Sequence, residues 1–350
     1  MNTVFGRLKM KFKYTIATSL GLLFLGLITA AAEADRLADV KKAGILHCGV
    51  VPGVPGYAFP NKAGKMVGFD VDLCRAIAAA VLGDADKIKT TKMKLPVAFN
   101  AMKAGTVDVV THRFTWTFAR DVGLGLDFTR VMVFDGQGFM VRKSLGVKTA
   151  KELDGATFCM SAGATTQGNV SDYFRKNGMK FKQVTFGSMG EAQKAYDAKR
   201  CDAFCTDKFG LGARRLSMTN PDEHMILPET ISNEPISPMV GHGDQVWKDI
   251  VVWTFNALIA AEEYGITSKN VDKVRATAKN PFVQRILGTT GKFGAKIGLG
   301  KDWAYNAIKA VGNYGEMWEK HLGKDSRLNM PRGKNVLHTK GGLLISPPFR

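Results

Sequence analysis

The sequence predicts an α/β protein built on mostly parallel sheets. Short apolar runs typical of buried strands alternate with amphipathic helices, and the alternation occurs twice, over residues 38–140 and 143–233. Each of these units contains a strand, a helix and a polar turn of the kind that binds a ligand. With 350 residues, the chain is long enough for two domains.

The first unit begins with an apolar run that ends in a Gly- and Pro-rich turn, as a buried strand does. In chain order we predict a strand, a polar hairpin turn, a helix, a short helix and a second strand, over residues 45–51, 61–65, 72–82, 97–102 and 107–110. In the longer helix, Leu73, Ile77 and Val81 recur at i, i+4 and i+8 and therefore share one face.

The second unit follows the same pattern. We predict strands over residues 138–142, 157–161 and 201–206, and a helix over residues 191–198. The strand 157–161 continues into the polar turn Gly163-Ala164-Thr165-Thr166, after which another helix begins. Beyond residue 234, a helix carries Trp247, Val251, Phe255 and Leu258 on one face. The Gly- and Lys-rich region from about 267 contains one helix over 302–321.

The N-terminus has the three parts of a secretory signal peptide. Four basic residues without an acid precede an apolar run over residues 14–28, and small residues follow it: Arg7, Lys9, Lys11 and Lys13, then Ala30-Ala31-Ala32. We therefore predict a signal peptide over residues 1–32 and an exported, periplasmic protein. A retained N-terminal anchor is the alternative, because the apolar run approaches membrane-spanning length.

The formal net charge of +18 is compatible in magnitude with a nucleic-acid-binding protein. The basic residues are scattered, however, and form neither a helical array nor a stripe with aromatic residues. Together with the predicted export, this pattern argues against nucleic acid as a partner. We also expect no metal and no cofactor, since there is no C-x-x-C motif and the six His residues are dispersed.

The five Cys residues fit an oxidising compartment. Cys48 and Cys74 would connect the first strand to the first helix. Cys159 could pair with Cys201 or with Cys205, which are four residues apart on a strand and share a face. We favour Cys201 as the partner, which leaves Cys205 as a buried free thiol.

Two short segments carry the chemistry needed to bind a zwitterion. The turn Thr115-Trp116-Thr117-Phe118-Ala119-Arg120-Asp121 offers hydroxyls and a guanidinium, and a guanidinium can hold a carboxylate through two parallel hydrogen bonds. The strand over 201–206 ends at Asp207, whose carboxylate accepts hydrogen bonds as an ammonium requires. The alternative is an Arg120–Asp121 surface salt bridge and an Asp207 that faces water.

At these residues the chain resembles the periplasmic amino-acid-binding proteins of ABC importers, solute-binding protein family 3, and most closely the general L-amino-acid-binding subgroup. The segments that carry the resemblance are Gly68-Phe69-Asp70-Val71-Asp72-Leu73-Cys74, Trp116-Thr117-x-x-Arg120-Asp121, Asp135-Gly136-Gln137-Gly138-Phe139, Gly163-Ala164-Thr165-Thr166, Arg200-Cys201-Asp202, Asp207 and Gly312-Asn313-Tyr314-Gly315-Glu316. Each segment is weak alone, but their order and spacing together are specific.

The resemblance implies a two-lobe, type II-like Venus-flytrap fold with a C-terminal extension from about residue 267. Lobe 1 would comprise residues 38–140 and 236–350, and lobe 2 residues 141–235. The function implied is binding of free L-amino acids and their delivery, by hinge closure, to the membrane permease subunits of an ABC transporter. The protein would act as a monomer and would not be an enzyme.

The resemblance also implies roles for individual residues. Arg120 would bind the α-carboxylate, with Thr115 and Thr165 adding hydroxyl or amide donors, and Asp207 would bind the α-ammonium. Tyr57 would form an aromatic wall against the ligand, or else pack in the core. Arg113 stands where the subgroup usually has a small residue. Its guanidinium could select acidic side chains or narrow the pocket, and it could equally point to solvent.

Two other functions are compatible with the same fold. A periplasmic dehydratase of cyclic amino acids would need a general acid or base in the cleft, for which His112 and Glu191 are conceivable. Neither belongs to a partnered catalytic constellation in the sequence. A ligand-sensing protein that docks on a receptor would use the same closed lobes.

Overall fold

The computed structural model describes residues 35–350, so the predicted signal peptide over 1–32 lies outside the described residues. The α-helices are α1 (Arg36–Ala43), α2 (Phe69–Leu82), α3 (Leu95–Lys103), α4 (Phe118–Leu124), α5 (Thr166–Lys176), α6 (Met189–Asp197), α7 (Lys208–Arg215), α8 (Gln245–Glu263), α9 (Val271–Thr277), α10 (Pro281–Ile286), α11 (Trp303–Val311) and α12 (Tyr314–His321). None of them has the length and hydropathy of a transmembrane segment, within the described part of the chain.

The strands are β1 (Leu46–Val50), β2 (Phe59–Pro60), β3 (Met66–Val67), β4 (Ile88–Lys92), β5 (Val109–Thr115), β6 (Leu126–Phe128), β7 (Val133–Asp135), β8 (Gln137–Arg142), β9 (Thr157–Ser161), β10 (Lys182–Phe186), β11 (Ala203–Asp207), β12 (His224–Ile226) and β13 (Glu234–Gly241). The strand predicted over 157–161 has these bounds, whereas the strand predicted over 107–110 continues to Thr115 as β5. This continuation brings the polar residues that follow the apolar run into the sheet.

The strands form two mixed sheets, each parallel at one side and antiparallel at the other. The first has the order β4-β1-β5-β13-β6, with β7 also paired to β13, and the second has the order β10-β9-β11-β8-β12. In the first sheet β1 pairs in parallel with β4 and β5, but β13 is antiparallel to β5. The prediction of mostly parallel sheets is therefore wrong for one side of each sheet, because β8 and β13, the strands that follow the two crossings between the sheets, run antiparallel to their neighbours.

The chain passes from the first sheet to the second between β7 and β8 and returns between β12 and β13. We call each sheet, with the helices that pack on it, a lobe. Within residues 35–350, only these two segments connect the lobes, as expected for a two-lobe fold whose halves move about crossing strands. The lobe bounds predicted at 140/141 and 235/236 remain predictions.

The C-terminal region packs on the first lobe. Helix α11 lies against α2 and α8, and α12 places Tyr314 and Trp318 against Phe69 with ring centroids 5.6 and 6.1 Å apart. The single helix predicted over 302–321 is wrong. Gly312, with φ 82°, ends α11, and Asn313 begins α12 with its side chain accepting a hydrogen bond from the Glu316 amide.

A buried carboxylate connects this C-terminal region to α2. Asp72 accepts hydrogen bonds from Lys320 Nζ at 2.7 Å and from His321 Nε2 at 2.6 Å, and Arg75 Nη1 lies 3.2 Å away. Burial alone would raise the pKa of Asp72, but the bonds to His321 and Lys320 outweigh it and hold the pKa far below its usual value. The ionised form of Asp72 therefore stabilises the docked extension.

The N-terminus of α2 explains the Gly68-Phe69-Asp70 motif. Gly68 has φ 134°, a conformation that other residues rarely adopt, and a Cβ atom there would collide with the Tyr57 carbonyl oxygen. Asp70 lies inside α2 and is fully buried.

Each lobe contains one disulfide. Cys48 on β1 is bonded to Cys74 on α2, with Cα atoms 6.4 Å apart, and Cys159 on β9 is bonded to Cys201, with Cα atoms 5.7 Å apart. Cys205 is a buried free thiol, and burial raises its pKa far above the usual value. From the separations of 26 and 42 residues, loop closure predicts a stabilisation of about 3 to 4 kcal/mol for each bond.

This arrangement predicts the number of free thiols in the oxidised protein. Alkylation of protein that is denatured without reductant should add one label per chain, at Cys205, and prior reduction should expose all five Cys residues. Mass spectrometry of the intact and digested chain reads both numbers. Three or more labels in the oxidised protein would contradict the pairing.

The Asp72 cluster predicts a pH-dependent contribution to stability. Asp72→Asn should lower the free energy of unfolding at pH 7 by about 2 kcal/mol, because bonds to charged donors are lost. The folded pKa of Asp72 is lowered, so its stabilisation is present above the unfolded pKa and is lost as the pH falls. The difference from wild type should therefore begin to shrink below about pH 4 in denaturant titrations. The exposed control Asp325→Asn should behave as wild type, and an equal effect of both variants would contradict the prediction.

Candidate functional site

A cavity of about 380 Å³ lies where the two lobes face each other. This volume falls in the usual range for small-ligand pockets. Its lining includes five of the six ligand-binding residues that the sequence predicts, namely Arg113, Thr115, Arg120, Thr165 and Asp207. The first three belong to the first lobe and the last two to the second, so the cavity brings together residues that are far apart in the chain.

Arg120 is positioned by the helix that follows β5. The Thr117 side chain accepts a hydrogen bond from the Arg120 amide and caps α4, which turns the guanidinium back toward the cavity. There Nη1 donates to the Thr115 carbonyl at 2.9 Å, and Nη2 donates to the Gly163 carbonyl of the second lobe at 3.4 Å. Since a guanidinium has five N–H donors, three remain for a ligand.

The predicted donor residues Thr115 and Thr165 share an acceptor that the sequence did not reveal. Both hydroxyls donate to Oε2 of Glu234, from Thr165 at 3.3 Å. On the other oxygen, Oε1 accepts from Asn169 Nδ2 at 2.6 Å and from Ser232 Oγ at 2.5 Å. In this arrangement the hydroxyl protons of Thr115 and Thr165 are used by Glu234. The two hydroxyl oxygens can still accept hydrogen bonds from a ligand. Next to Thr165, the backbone N–H groups at the start of α5 can donate to one.

Asp207 stands at the end of β11 and pairs with a cation from the opposite lobe. Its Oδ2 lies 3.6 Å from Arg113 Nη1, and the two side chains are only 13% and 6% exposed. Burial raises the pKa of Asp207, and Arg113 opposes this effect. The exposed orientations that we considered for Asp207 and Arg113 are therefore wrong, because both side chains lie at the seam between the lobes.

Tyr57 is behind the cavity and not among the residues that line it. The Arg113 guanidinium carbon lies 4.5 Å from the centre of the Tyr57 ring, and Tyr57 is fully buried. The aromatic ring thus supports Arg113 through a cation–π contact, and Arg113 takes the place facing the cavity. The core-packing alternative describes this position better than an aromatic wall against the ligand.

Two buried acids, Asp70 and Asp135, lie near Arg113 and were not predicted as site residues from the sequence. Asp70 is fully buried, has no hydrogen-bond partner among the described residues and lies 3.5 Å from His112 Nδ1; burial raises its pKa to about 7. Burial and the nearby Asp207 carboxylate raise the pKa of Asp135 as well. Burial also lowers the pKa of His112 well below its usual value, which favours the neutral imidazole.

A third arginine completes the lining. Arg214 on α7 is 4% exposed, and its Nη1 donates to Gln193 Oε1 at 2.9 Å. Burial, with a smaller effect of Arg113, lowers the pKa of Arg214 to about 9. The only sequence signal for this residue is its spacing from Asp207, since positions i and i+7 share a helix face.

At the mouth of the cavity, Lys94 of the first lobe lies 3.4 Å from Glu191 of the second. Both side chains are at least half exposed, so the pair contributes little to stability. Glu191, which we considered as a catalytic acid or base, is thus half exposed and is not among the residues that line the cavity.

Comparison with known proteins identifies relatives of the whole chain. The model of the family "Bacterial extracellular solute-binding proteins, family 3" matches residues 46–271. The General L-amino acid-binding periplasmic protein AapJ of Rhizobium johnstonii is 48% identical over 96% of this chain and 98% of its own length. The Glutamate/glutamine/aspartate/asparagine-binding protein BztA of Rhodobacter capsulatus is also 48% identical, over 93% of this chain and 96% of its own.

Among solved structures, an ABC transporter / periplasmic binding protein from Brucella ovis with glutathione bound is similar throughout. It is 47% identical, with a TM-score of 0.89 over 91% of this chain and all of its own. An ancestral arginine-binding protein bound to glutamine is 28% identical, with a TM-score of 0.55 over 63% of this chain and 93% of its own. The two-lobe periplasmic-binding-protein fold predicted from the sequence is thereby confirmed.

The hydrogen bonds to Glu234 predict a stability effect. Glu234→Gln keeps the shape of the side chain but replaces one carboxylate oxygen with an NH2 group. This donor must then face the Thr, Asn or Ser donors that bind the carboxylate in the wild type. We expect the free energy of unfolding to fall by about 2 to 3 kcal/mol in urea titrations. Glu223→Gln, at an exposed position, is the matched control. If the two variants are equally stable, Glu234 does not hold the lobes as described.

Proposed function

Because the chain belongs to the family of bacterial extracellular solute-binding proteins, family 3, we propose that it binds free L-amino acids outside the cytoplasm and delivers them to an ABC importer. The names of AapJ and BztA, both amino-acid-binding proteins, support this proposal. Closure of the two lobes around the ligand would present the loaded form to the permease subunits. A ligand shifts such an equilibrium only through its higher affinity for one state, and contacts to both lobes provide that difference.

The observation that carries the proposal is that Arg120 of the first lobe and Asp207 of the second face the same cavity. Arg120 has donors left to bind the α-carboxylate, and the amides at the start of α5, next to Thr165, add further donors. Asp207 would accept hydrogen bonds from the α-ammonium and would then exchange part of its interaction with Arg113 for the ligand. Thr115 would contribute through its hydroxyl lone pairs and by holding Arg120 at its carbonyl.

Glutathione is a second candidate ligand. It carries the same α-amino acid group at one end, and the Brucella ovis structure has it bound. The cavity has a volume of about 380 Å³, so we include glutathione, a tripeptide, with the single amino acids as a candidate ligand. We further propose that the protein is a periplasmic monomer, that ABC permease subunits are its partners, and that it turns over no substrate.

Thermal unfolding with each of the twenty L-amino acids, and with reduced glutathione, tests the function directly. A ligand that binds only the folded state raises its stability by RT ln(1 + [L]/Kd), which is about 2.7 kcal/mol at 100 times Kd. We expect a clear rise in Tm with several amino acids. No rise with any of them would contradict the proposed function.

The proposed roles of Arg120 and Asp207 predict that either residue is needed for every amino acid. Arg120→Ala and Asp207→Ala should each weaken binding roughly 30- to 3,000-fold whatever the ligand side chain, because the remaining charge is stranded. Isothermal calorimetry measures the effect, and circular dichroism checks the fold. The exposed pair Arg175 and Asp172 provides control variants, Arg175→Ala and Asp172→Ala. Binding within threefold of wild type in either site variant would show that the site is misplaced.

A further inference from the structure

We propose that Arg214 and Arg113 form a second carboxylate subsite in the cavity, which binds the side-chain carboxylate of an acidic amino acid. This inference rests on the proposed function and deepens it. It assigns to Arg214 a role in specificity, separate from the charges that hold the α-amino acid group.

Arg214 lies on the same side of α7 as Asp207. Asp207, Gly210 and Arg214 occur at i, i+3 and i+7, so they form one stripe along α7. Seven residues of helix rise about 10 Å, but long side chains on a helix lean toward its N-terminus. This lean favours the side of Asp207, and both Asp207 and Arg214 line the cavity, with Asp207 among the charges that act on Arg214.

The two lobes come into contact at Gly210 of α7. A Cβ atom on Gly210 would lie 2.9 Å from Arg113 Nη1 and 3.5 Å from its Nη2. The guanidinium of Arg113, from the first lobe, thus lies against the surface of α7 within this stripe. Two arginines from opposite lobes consequently face the same part of the cavity, next to the carboxylate proposed to bind the ligand ammonium.

The guanidinium groups of Arg113 and Arg214 have N–H donors that lack acceptors. Nε and Nη1 of Arg113 and Nε of Arg214 are buried and have no hydrogen-bond partner among the described residues. Arg113 Nη1 approaches only Asp207 Oδ2, at 3.6 Å, which is beyond hydrogen-bond distance. These buried nitrogens leave both side chains short of acceptors, which is costly. Nη2 of Arg113 and Nη2 of Arg214 are not among the buried atoms and make no hydrogen bond among the described residues, so they can meet a ligand carboxylate, which fits the planar fork of a guanidinium.

The balance of charge points the same way. Three buried arginines line the cavity, Arg113, Arg120 and Arg214, against the single lining carboxylate of Asp207. A neutral zwitterion would occupy Arg120 and Asp207, and the buried Glu234 acts mainly on Arg120. Arg113 would then keep only the acids beneath it, Asp70 and Asp135, as counter-ions. Burial raises the pKa of Asp70 to about 7 and that of Asp135 to about 8, so these acids neutralise Arg113 only in part. Among the described acids, Arg214 is influenced only by Asp207. A ligand with a second carboxylate supplies the missing negative charge.

L-Glutamate and L-glutamine are the probes that test this subsite, because they have nearly the same shape and differ in the side-chain carboxylate. We expect wild type to bind glutamate more tightly than glutamine in isothermal calorimetry. Arg214→Gln should weaken glutamate at least about tenfold more than glutamine. Arg215→Gln is the matched control, since Arg215 is the next residue of α7 but does not line the cavity.

The ratio of the two affinities separates specificity from a folding defect, because a loss of folded protein affects both ligands equally. Equal weakening of glutamate and glutamine by Arg214→Gln, or no weakening, would overturn the subsite. If Arg214→Gln does not fold, Arg113→Asn on the other lobe decides the question by the same ratio. Wild type that binds glutamine as well as glutamate would overturn only this inference, whereas wild type that binds no amino acid would overturn the proposed function.

Discussion

The buried carboxylate of Glu234 is the interaction on which the cavity depends. Four donors converge on it, from β5, from the turn before α5, from α5 itself and from the segment that returns the chain to the first lobe. Any one of these contacts is modest, but the four groups lie on both lobes and on a crossing segment. Glu234 therefore sets the distance between the sheets at the level of Thr115 and Thr165, which in turn fixes how closely Arg120 and Asp207 face each other.

Arg113 forms an ion pair with Asp207 at the edge of the cavity, before any ligand binds. With Arg113 over the Tyr57 ring and 3.6 Å from Asp207, the protein holds a cation beside the position proposed for the ligand ammonium. The ammonium of an incoming amino acid must share Asp207 with this guanidinium. Some of the attraction between Asp207 and a ligand is therefore offset by the weakening of an internal pair, which moderates affinity without removing specificity for a zwitterion.

The sequence was sufficient to predict the fold class and those site residues that lie at the ends of strands and helices. Asp207 and Thr165 follow apolar runs, and Arg120 follows a capping Thr117, so local pattern and resemblance were enough to single them out. Glu234, Arg214 and the buried orientation of Arg113 could not be found in this way. Their positions depend on contacts between segments tens to more than a hundred residues apart, for which periodicity carries no signal. The break between α11 and α12 was local and visible as Gly312-Asn313, but the apolar spacing around it resembled one long helix.

The placement of the disulfides has a mechanical consequence. One bond ties β1 to α2 within the first lobe and the other ties β9 to the segment before β11 within the second, and in residues 35–350 no disulfide joins the lobes. Oxidation thus restricts deformation inside each half while leaving the two crossing segments covalently free. A chain cross-linked in this way consists of two stiffened lobes on two uncrosslinked segments, so that ligand binding would rotate the lobes rather than distort the sheets.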